Sequence, residues 1–171
     1  MDTFSTPPTI DDVAVNATEP PPLRVSVKAL ATAPANVTCV LKVTAGESSV
    51  LLTGDIETIS EQALSKRYGE RLRADVLLAS HHGSRTSSSP EFIAAVGAQT
   101  VIFPVGYRNR FRHPNAEVLR RHEATGAQLL RTDRDGAVTV RFGVSPKGTS
   151  FGASRGLTLQ REARRRYWHG R

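Results

Sequence analysis

Val50-Leu51-Leu52-Thr53-Gly54-Asp55 and Ala74-Asp75-Val76-Leu77-Leu78-Ala79-Ser80-His81-His82-Gly83-Ser84 decide how this chain is read. Each is an apolar run of strand length ending in metal-competent side chains, a carboxylate in the first and an imidazole pair in the second. Between them, Ile59 to Leu72 has helical spacing, with Leu64, Tyr68 and Leu72 as the buried stripe. Ser60 is the expected N-cap, and Glu61 stands in the first turn, where the helix dipole favours an acid. Asp75 to Ser80 is continuously apolar after its first residue, the pattern of a strand covered on both faces.

Upstream, Leu23 to Leu30 alternates apolar and polar residues, as a half-exposed strand does. Ala31 to Asn36 reads as a loop around Pro34, and Val37 to Val43 as a second strand. Gly46-Glu47-Ser48 turns the chain into Ser49 to Thr53, giving an antiparallel hairpin that stops at Gly54-Asp55. Downstream, a Ser-rich loop from Ser84 to Ser89 leads to Pro90 at the start of a helix over Glu91 to Val96. Thr100 to Val105 is a strand, Asn115 to Thr125 a helix ended by Gly126, and Gln128 to Arg131 a strand. Thr132-Asp133-Arg134-Asp135-Gly136 reads as a hairpin turn, with Val138 to Phe142 closing the pair. Strands alternating with helices, with hairpins at both ends, predict stacked sheets with helices outside.

A length of 171 residues fits one domain with ample chain for a core. Residues 1–22 are Pro-rich and aperiodic, a leader or linker; residues 23–143 carry the domain; residues 144–171 form a tail, Gly/Ser-rich and then Arg-rich. Residues 145–158 are expected to be mobile. The formal charge of +7 favours polyanionic partners such as nucleic acid or anionic headgroups, although free use of Arg gives the same balance. The single cysteine, Cys39, excludes an internal disulfide and a cysteine-rich zinc site, and its apolar neighbours suggest a small buried hydrophobe. No apolar run reaches bilayer length and residues 1–20 lack a secretory pattern, so the expectation is a soluble chain.

Asp55, directly after Gly, stands where backbone crowding is low, and a carboxylate there can bridge two cations through separate oxygens or simply cap the next turn. Adjacent side chains on an extended strand point to opposite faces, so His81 and His82 cannot both enter one core. One can reach a metal while the other meets solvent, a supporting partner or a substrate oxygen. Gly83 and Ser84 add an uncrowded backbone and a hydroxyl suited to a phosphate. Gly106 to Pro114 follows the Thr100–Val105 strand on the same strand-end side, and Arg108, Arg110, Arg112, Asn109 and His113 form a donor set for phosphate oxygens. The plainer reading is an exposed basic loop entering a helix.

Leu51 to Glu57, Ser80 to Ser87, Gly106 to Pro114 and Arg131 to Gly136, in that order, resemble the C-terminal metallo-β-lactamase-like domain of ComEC-type DNA-uptake proteins. The resemblance spans about residues 23–142, and Arg166-Tyr167-Trp168-His169 is similar to the end of some such proteins. It implies an α/β (α+β) fold, an αββα sandwich with a mixed sheet and flanking helices. It implies a two-metal site, usually zinc or manganese, and nuclease activity on the DNA strand that is not imported. Asp55 matches the bridging carboxylate, and one of His81 and His82 the last metal-binding histidine. His82 is the preferred ligand, leaving His81 to the substrate phosphate or a supporting role. Asn109 and His113 match positions near the substrate, with Ser84 and the three arginines expected on its phosphates.

The departures are large. The family's His-x-His-x-Asp-His cluster is absent, and no histidine precedes position 81. Two metals need roughly seven or eight ligands, and the matching motifs supply two or three. The expected protein is therefore an incomplete sandwich, its inner sheet lacking a partner sheet. It is expected to be inactive or weak alone, with its divalent metal incompletely held or absent. The alternative is a non-catalytic nucleic-acid-binding half-domain that works only with a partner polypeptide supplying the missing ligands. Expected partners are DNA, bound non-specifically, and the membrane channel portion of a ComEC-type protein, a family of the bacterial cytoplasmic membrane.

Overall fold

Hairpin alternation followed by strand–helix repeats produces one mixed sheet. The computed structural model describes residues 25–30, 39–142 and 157–164. The leader, the loop after residue 30, residues 143–156 and the tail beyond residue 164 lie outside the described residues. Strands β1 (Val25–Leu30), β2 (Val40–Ala45) and β3 (Ser48–Leu52) form an antiparallel meander. β4 (Val76–Leu78), β5 (Thr100–Phe103) and β6 (Gln128–Arg131) then add in parallel, giving a six-stranded sheet in sequence order. The connections are the helices α1 (Thr58–Tyr68), α2 (Pro90–Val96) and α3 (Ala116–Glu123). The fold is thus mixed α/β, with flanking helices.

The register decides which face each residue serves. Leu51, Leu77, Val101 and Leu129 lie side by side across β3 to β6, and they pack with Leu64, Leu72, Phe92, Val96 and Val118 from the helical layer. Leu64 and Leu72 of the expected stripe are buried and Tyr68 partly so. The helix, however, stops at Tyr68, Leu72 falls in a 3-10 turn over Gly69–Leu72, and the start also comes earlier than expected. Its N-cap position is Glu57, not Ser60, which lies buried inside the first turn. Cys39 also departs from expectation: it is exposed, because the strand begins only at Val40, the residue that turns into the core.

The C-terminal region corrects a second expectation. Residues Thr132–Asp135 form a short helix, α4, rather than a hairpin turn. Strand β7 (Val138–Val140) does not return to β6; it pairs with β8 (Leu157–Leu159), three residues that the Gly/Ser-rich composition of the stretch before them concealed. A last short helix, α5, covers Gln160–Ala163. The cause of the diversion lies in the turn itself. Asp135 accepts from the Arg131 amide at 2.7 Å, and Asp133 takes the Arg131 guanidinium through two bonds, at 3.1 and 2.7 Å. That local clasp winds the segment instead of letting it fold back. It also raises the Arg131 pKa, chiefly through the hydrogen bond to Asp133. The β7–β8 ribbon packs on the face opposite the helices, over Val76, Ile102 and Leu130. Part of the sheet face expected to lack a partner is thus covered from within the chain.

One buried base carries a testable consequence. His122 on α3 is 1% exposed, lies edge-on to Phe103 at 5.6 Å, and its Nε2 has no hydrogen-bond partner. Burial, helped by the neighbouring Arg121 charge, pushes its pKa down to about 4. The folded state thus holds His122 neutral while the unfolded chain protonates it near 6.5. Its stabilising effect is complete above pH 6.5 and is lost as the pH falls toward 4, by about 3 kcal/mol in all. Urea midpoints at pH 7.5, 5.5 and 4 should fall accordingly, and His122→Phe should flatten that dependence. An unchanged slope in the variant would assign the loss to other groups.

Candidate functional site

Three loops leave the C-terminal ends of β3, β4 and β5, and parallel pairing sets those ends side by side. The first is Gly54 to Glu57, the second Ser80 to Ser89, and the third Gly106 to Asn115. Backbone hydrogen bonds lock them together. The His81 amide donates to the Gly54 carbonyl at 2.9 Å, and the Asn115 amide to the Gly83 carbonyl at 2.8 Å. Thr132 clasps the root of the third loop, accepting from the Val105 amide at 2.8 Å and donating to the Val105 carbonyl at 2.7 Å.

The histidine pair is not on extended strand. Ser80–Gly83 is a 3-10 turn in which His81 and His82 both take left-handed backbone, with φ of 46° and 56°. The opposite-faces argument therefore fails, because strand β4 ends at Leu78 and the tie to Gly54 curls the chain. Both rings consequently lie on the same side of the molecule, with centroids 6.4 Å apart, and His113 approaches His81 at 6.1 Å.

Asp55 and His82 converge. His82 Nε2 lies 3.4 Å from Asp55 Oδ1, and both residues are exposed. His82 Nδ1 is 2.8 Å from the Pro104 carbonyl, which can only accept, so Nδ1 donates there and Nε2 is the ring nitrogen that faces the carboxylate. A tetrahedral zinc ion with bonds of about 2.0–2.1 Å holds its donor atoms roughly 3.3 Å apart. The spacing of this pair matches that between two donors of such a site. Among the described residues, however, no group of three or more His, Cys, Asp or Glu is arranged to hold a metal ion.

Glu57, which sequence reasoning passed over, stands behind His81. Its Oε1 lies 3.1 Å from His81 Nδ1 and accepts from the Thr86 hydroxyl at 2.8 Å. The approach to His81 lacks hydrogen-bond alignment, so the contact is an ion-pair distance only. His113 has a lowered pKa, first through burial and then through the charges of His81 and His82, which favours its neutral form at physiological pH.

Two expected substrate groups are turned inward. Ser84 is buried, and its hydroxyl is paired with that of Thr86 at 3.1 Å. Asn109 spends its amide within its own loop, accepting from the His113 amide and donating to the His113 carbonyl, both at 2.8 Å. It braces the His113 backbone. Arg108, Arg110 and Arg112 are exposed on the same loop, with Arg108 and Arg112 at φ of 55° and 56°. Among the described residues no helix is long and apolar enough to cross a membrane.

No protein-family model matches the chain. A stretch of 110 residues is 44% identical to competence protein ComA of Neisseria gonorrhoeae, covering 64% of this chain and 16% of that protein. Similar stretches are 36% identical to ComE operon protein 3 of Bacillus subtilis, over 63% of this chain and 14% of that protein. Recombination protein 2 of Haemophilus influenzae is also 36% identical, over 61% of this chain and 13% of that protein. The chain spans about a sixth or less of the length of the curated relatives it matches. It is therefore homologous, over about three fifths of its own length, to a limited portion of larger bacterial proteins, one of them a competence protein by name.

Proposed function

We propose that this chain corresponds to part of a metallo-β-lactamase-like domain of a ComEC-type DNA-uptake protein, with a site derived from metal-dependent phosphodiester hydrolysis. The observation that carries the reading is the 3.4 Å convergence of Asp55 and His82, with the His82 ring oriented by its Nδ1 contact to the Pro104 carbonyl. Asp55 and His82 would hold a divalent ion, zinc or manganese. When bound, such an ion supplies Lewis-acid stabilisation of charge on a phosphate. His81, backed by Glu57, and neutral His113 face the same space and can accept or hold a proton there. Arg108, Arg110 and Arg112 supply guanidinium forks for the flanking phosphates. Asn109 and the Ser84–Thr86 pair keep the two loops in shape.

Two side chains hold a divalent ion weakly, so the chain alone is expected to bind one ion with low affinity and to turn over DNA slowly or not at all. Titration with manganese, followed by calorimetry and a nuclease assay on single-stranded DNA, tests both points. Asp55→Ala should weaken the ion by at least about tenfold, the scale on which even supporting groups act. Rapid turnover abolished by Asp55→Ala would overturn the expectation of inactivity, and an ion affinity indifferent to Asp55 and His82 would overturn the site.

The second reading is a non-catalytic half-domain that binds nucleic acid and depends on a partner polypeptide for its remaining ligands. The lack of a three-ligand group among the described residues favours it. Under that reading DNA affinity falls steeply with salt and is unchanged by chelators.

A further inference from the structure

The loop between β5 and α3 exposes two aromatic rings that the hydrolytic reading leaves without a task. Tyr107 is 69% exposed and Phe111 is 66% exposed. A large ring left in water forfeits the burial that would stabilise it, and exposed apolar groups gathered on one short loop mark a candidate binding surface. These two are also placed with cations. The Arg108 guanidinium lies 5.2 Å from the Tyr107 ring centre and the Arg161 guanidinium 5.9 Å from it. The Arg110 guanidinium lies 4.9 Å from the Phe111 ring centre.

Phe111 connects this loop to the candidate site. Phe111 is stacked on His113, with centroids 5.8 Å apart and planes within 15° of parallel, and His113 is in turn 6.1 Å from His81. The stack therefore runs from the histidine cluster outward onto the exposed loop. The loop is held in shape rather than left to sway: Asn109 bridges to His113, and Thr132 fixes its root.

We infer that Tyr107 and Phe111 form a stacking platform for unpaired nucleobases, which makes a single-stranded nucleic acid the ligand of this surface. Alternating aromatic and guanidinium groups match such a chain's alternation of bases and phosphates. A duplex keeps its bases stacked on one another and has no free faces to offer, so it could engage the arginines but not the rings. The inference rests on the reading of the site as one for phosphodiester chains, and it names the two residues that would hold such a chain by its bases.

The test is fluorescence anisotropy at fixed low salt with three labelled ligands: a mixed-sequence single strand, an abasic strand of equal length, and the corresponding duplex. The single strand should bind most tightly. Tyr107→Ala and Phe111→Ala should each weaken it by roughly five- to a hundredfold toward the abasic value, while leaving the abasic strand unaffected. Tyr107→Phe and Phe111→Trp should retain affinity, whereas Tyr107→Leu and Phe111→Leu should not, since bulk without a π-face cannot stack. Arg110→Ala should weaken all three ligands alike. If the abasic strand binds as tightly as the normal one, or the alanine variants bind like the parent while Arg110→Ala binds more weakly, the platform is refuted and the phosphate reading stands. If no ligand binds, both fall together.

Discussion

Glu61→Ala is expected to lower the unfolding free energy by about 3–5 kcal/mol, because it strips the partner from two buried amides at once. Glu61 is fully buried, and its two carboxylate oxygens accept from the Ser88 and Ser89 amides at 2.7 and 2.8 Å. These amides lie just before Pro90, in the tight approach to α2 where Ser88 has a φ of 59°. Ser88 and Ser89 are themselves buried, so little solvent is at hand to compensate. From the other side, Arg121 donates to the Ser87 and Ser88 carbonyls at 3.4 and 3.2 Å, while Glu117 steadies its guanidinium. The Ser84–Ser89 loop is thus gripped between an anion on α1 and a cation on α3. Glu61→Gln retains one acceptor and should cost roughly half as much. Urea unfolding followed by circular dichroism would decide it; a loss below about 1 kcal/mol for the alanine variant would show that the loop is held by something else.

Gly83→Ala is expected to be at least as damaging, at about 3–5 kcal/mol, and to disturb the site directly. A Cβ at this position would lie 2.7 Å from Pro114 Cβ and 2.8 and 2.9 Å from two carbons of the Phe103 ring, and the backbone is at φ +79°. Phe103 is 0% exposed, so the ring has nowhere to retreat. The close approach is what presses the His81–His82 turn against the segment bearing His113. The melting temperature should therefore fall, and the imidazole NMR signals of His82 and His113 should move together. Phe103→Leu in the same chain makes room, so the double variant should lose less than the two single losses added. Full additivity would mean that the clash is relieved elsewhere.

Much of the sheet was legible because its residues obey short periods. The alternation of Leu23 to Leu30 and the apolar runs ending at Thr53 and Ser80 each contain the strand that forms, to within a few residues at the ends. Pro90 and Asn115 likewise mark helix starts through backbone constraint and capping, and Asn115 does accept from the Glu117 amide at 2.9 Å. What failed depends on polar contacts that no apolar period encodes. The curl at His81 and His82 comes from a bond to distant Gly54, whereas the winding of Thr132–Asp135 comes from neighbouring carboxylates satisfying Arg131. Glu61 read only as a first-turn acid suited to the helix dipole, because its partners lie 27 and 28 residues further on. Gly-Asp and His-His-Gly-Ser placed the candidate residues at strand ends, but no period in the sequence told that Ser84 and Asn109 would turn inward.

The exposure of Asp55 and His82 separates chemistry from folding. Neither side chain belongs to the core, and either could be exchanged for a small polar residue at little cost in stability, whereas the buried Glu61 and Gly83 could not. A scaffold arranged this way tolerates both the loss and the gain of a working centre. It is therefore a natural host for re-equipment: grafting additional donors onto the rim, in place of residues that nothing underneath depends on, is the direct route to a chain that grips its ion firmly.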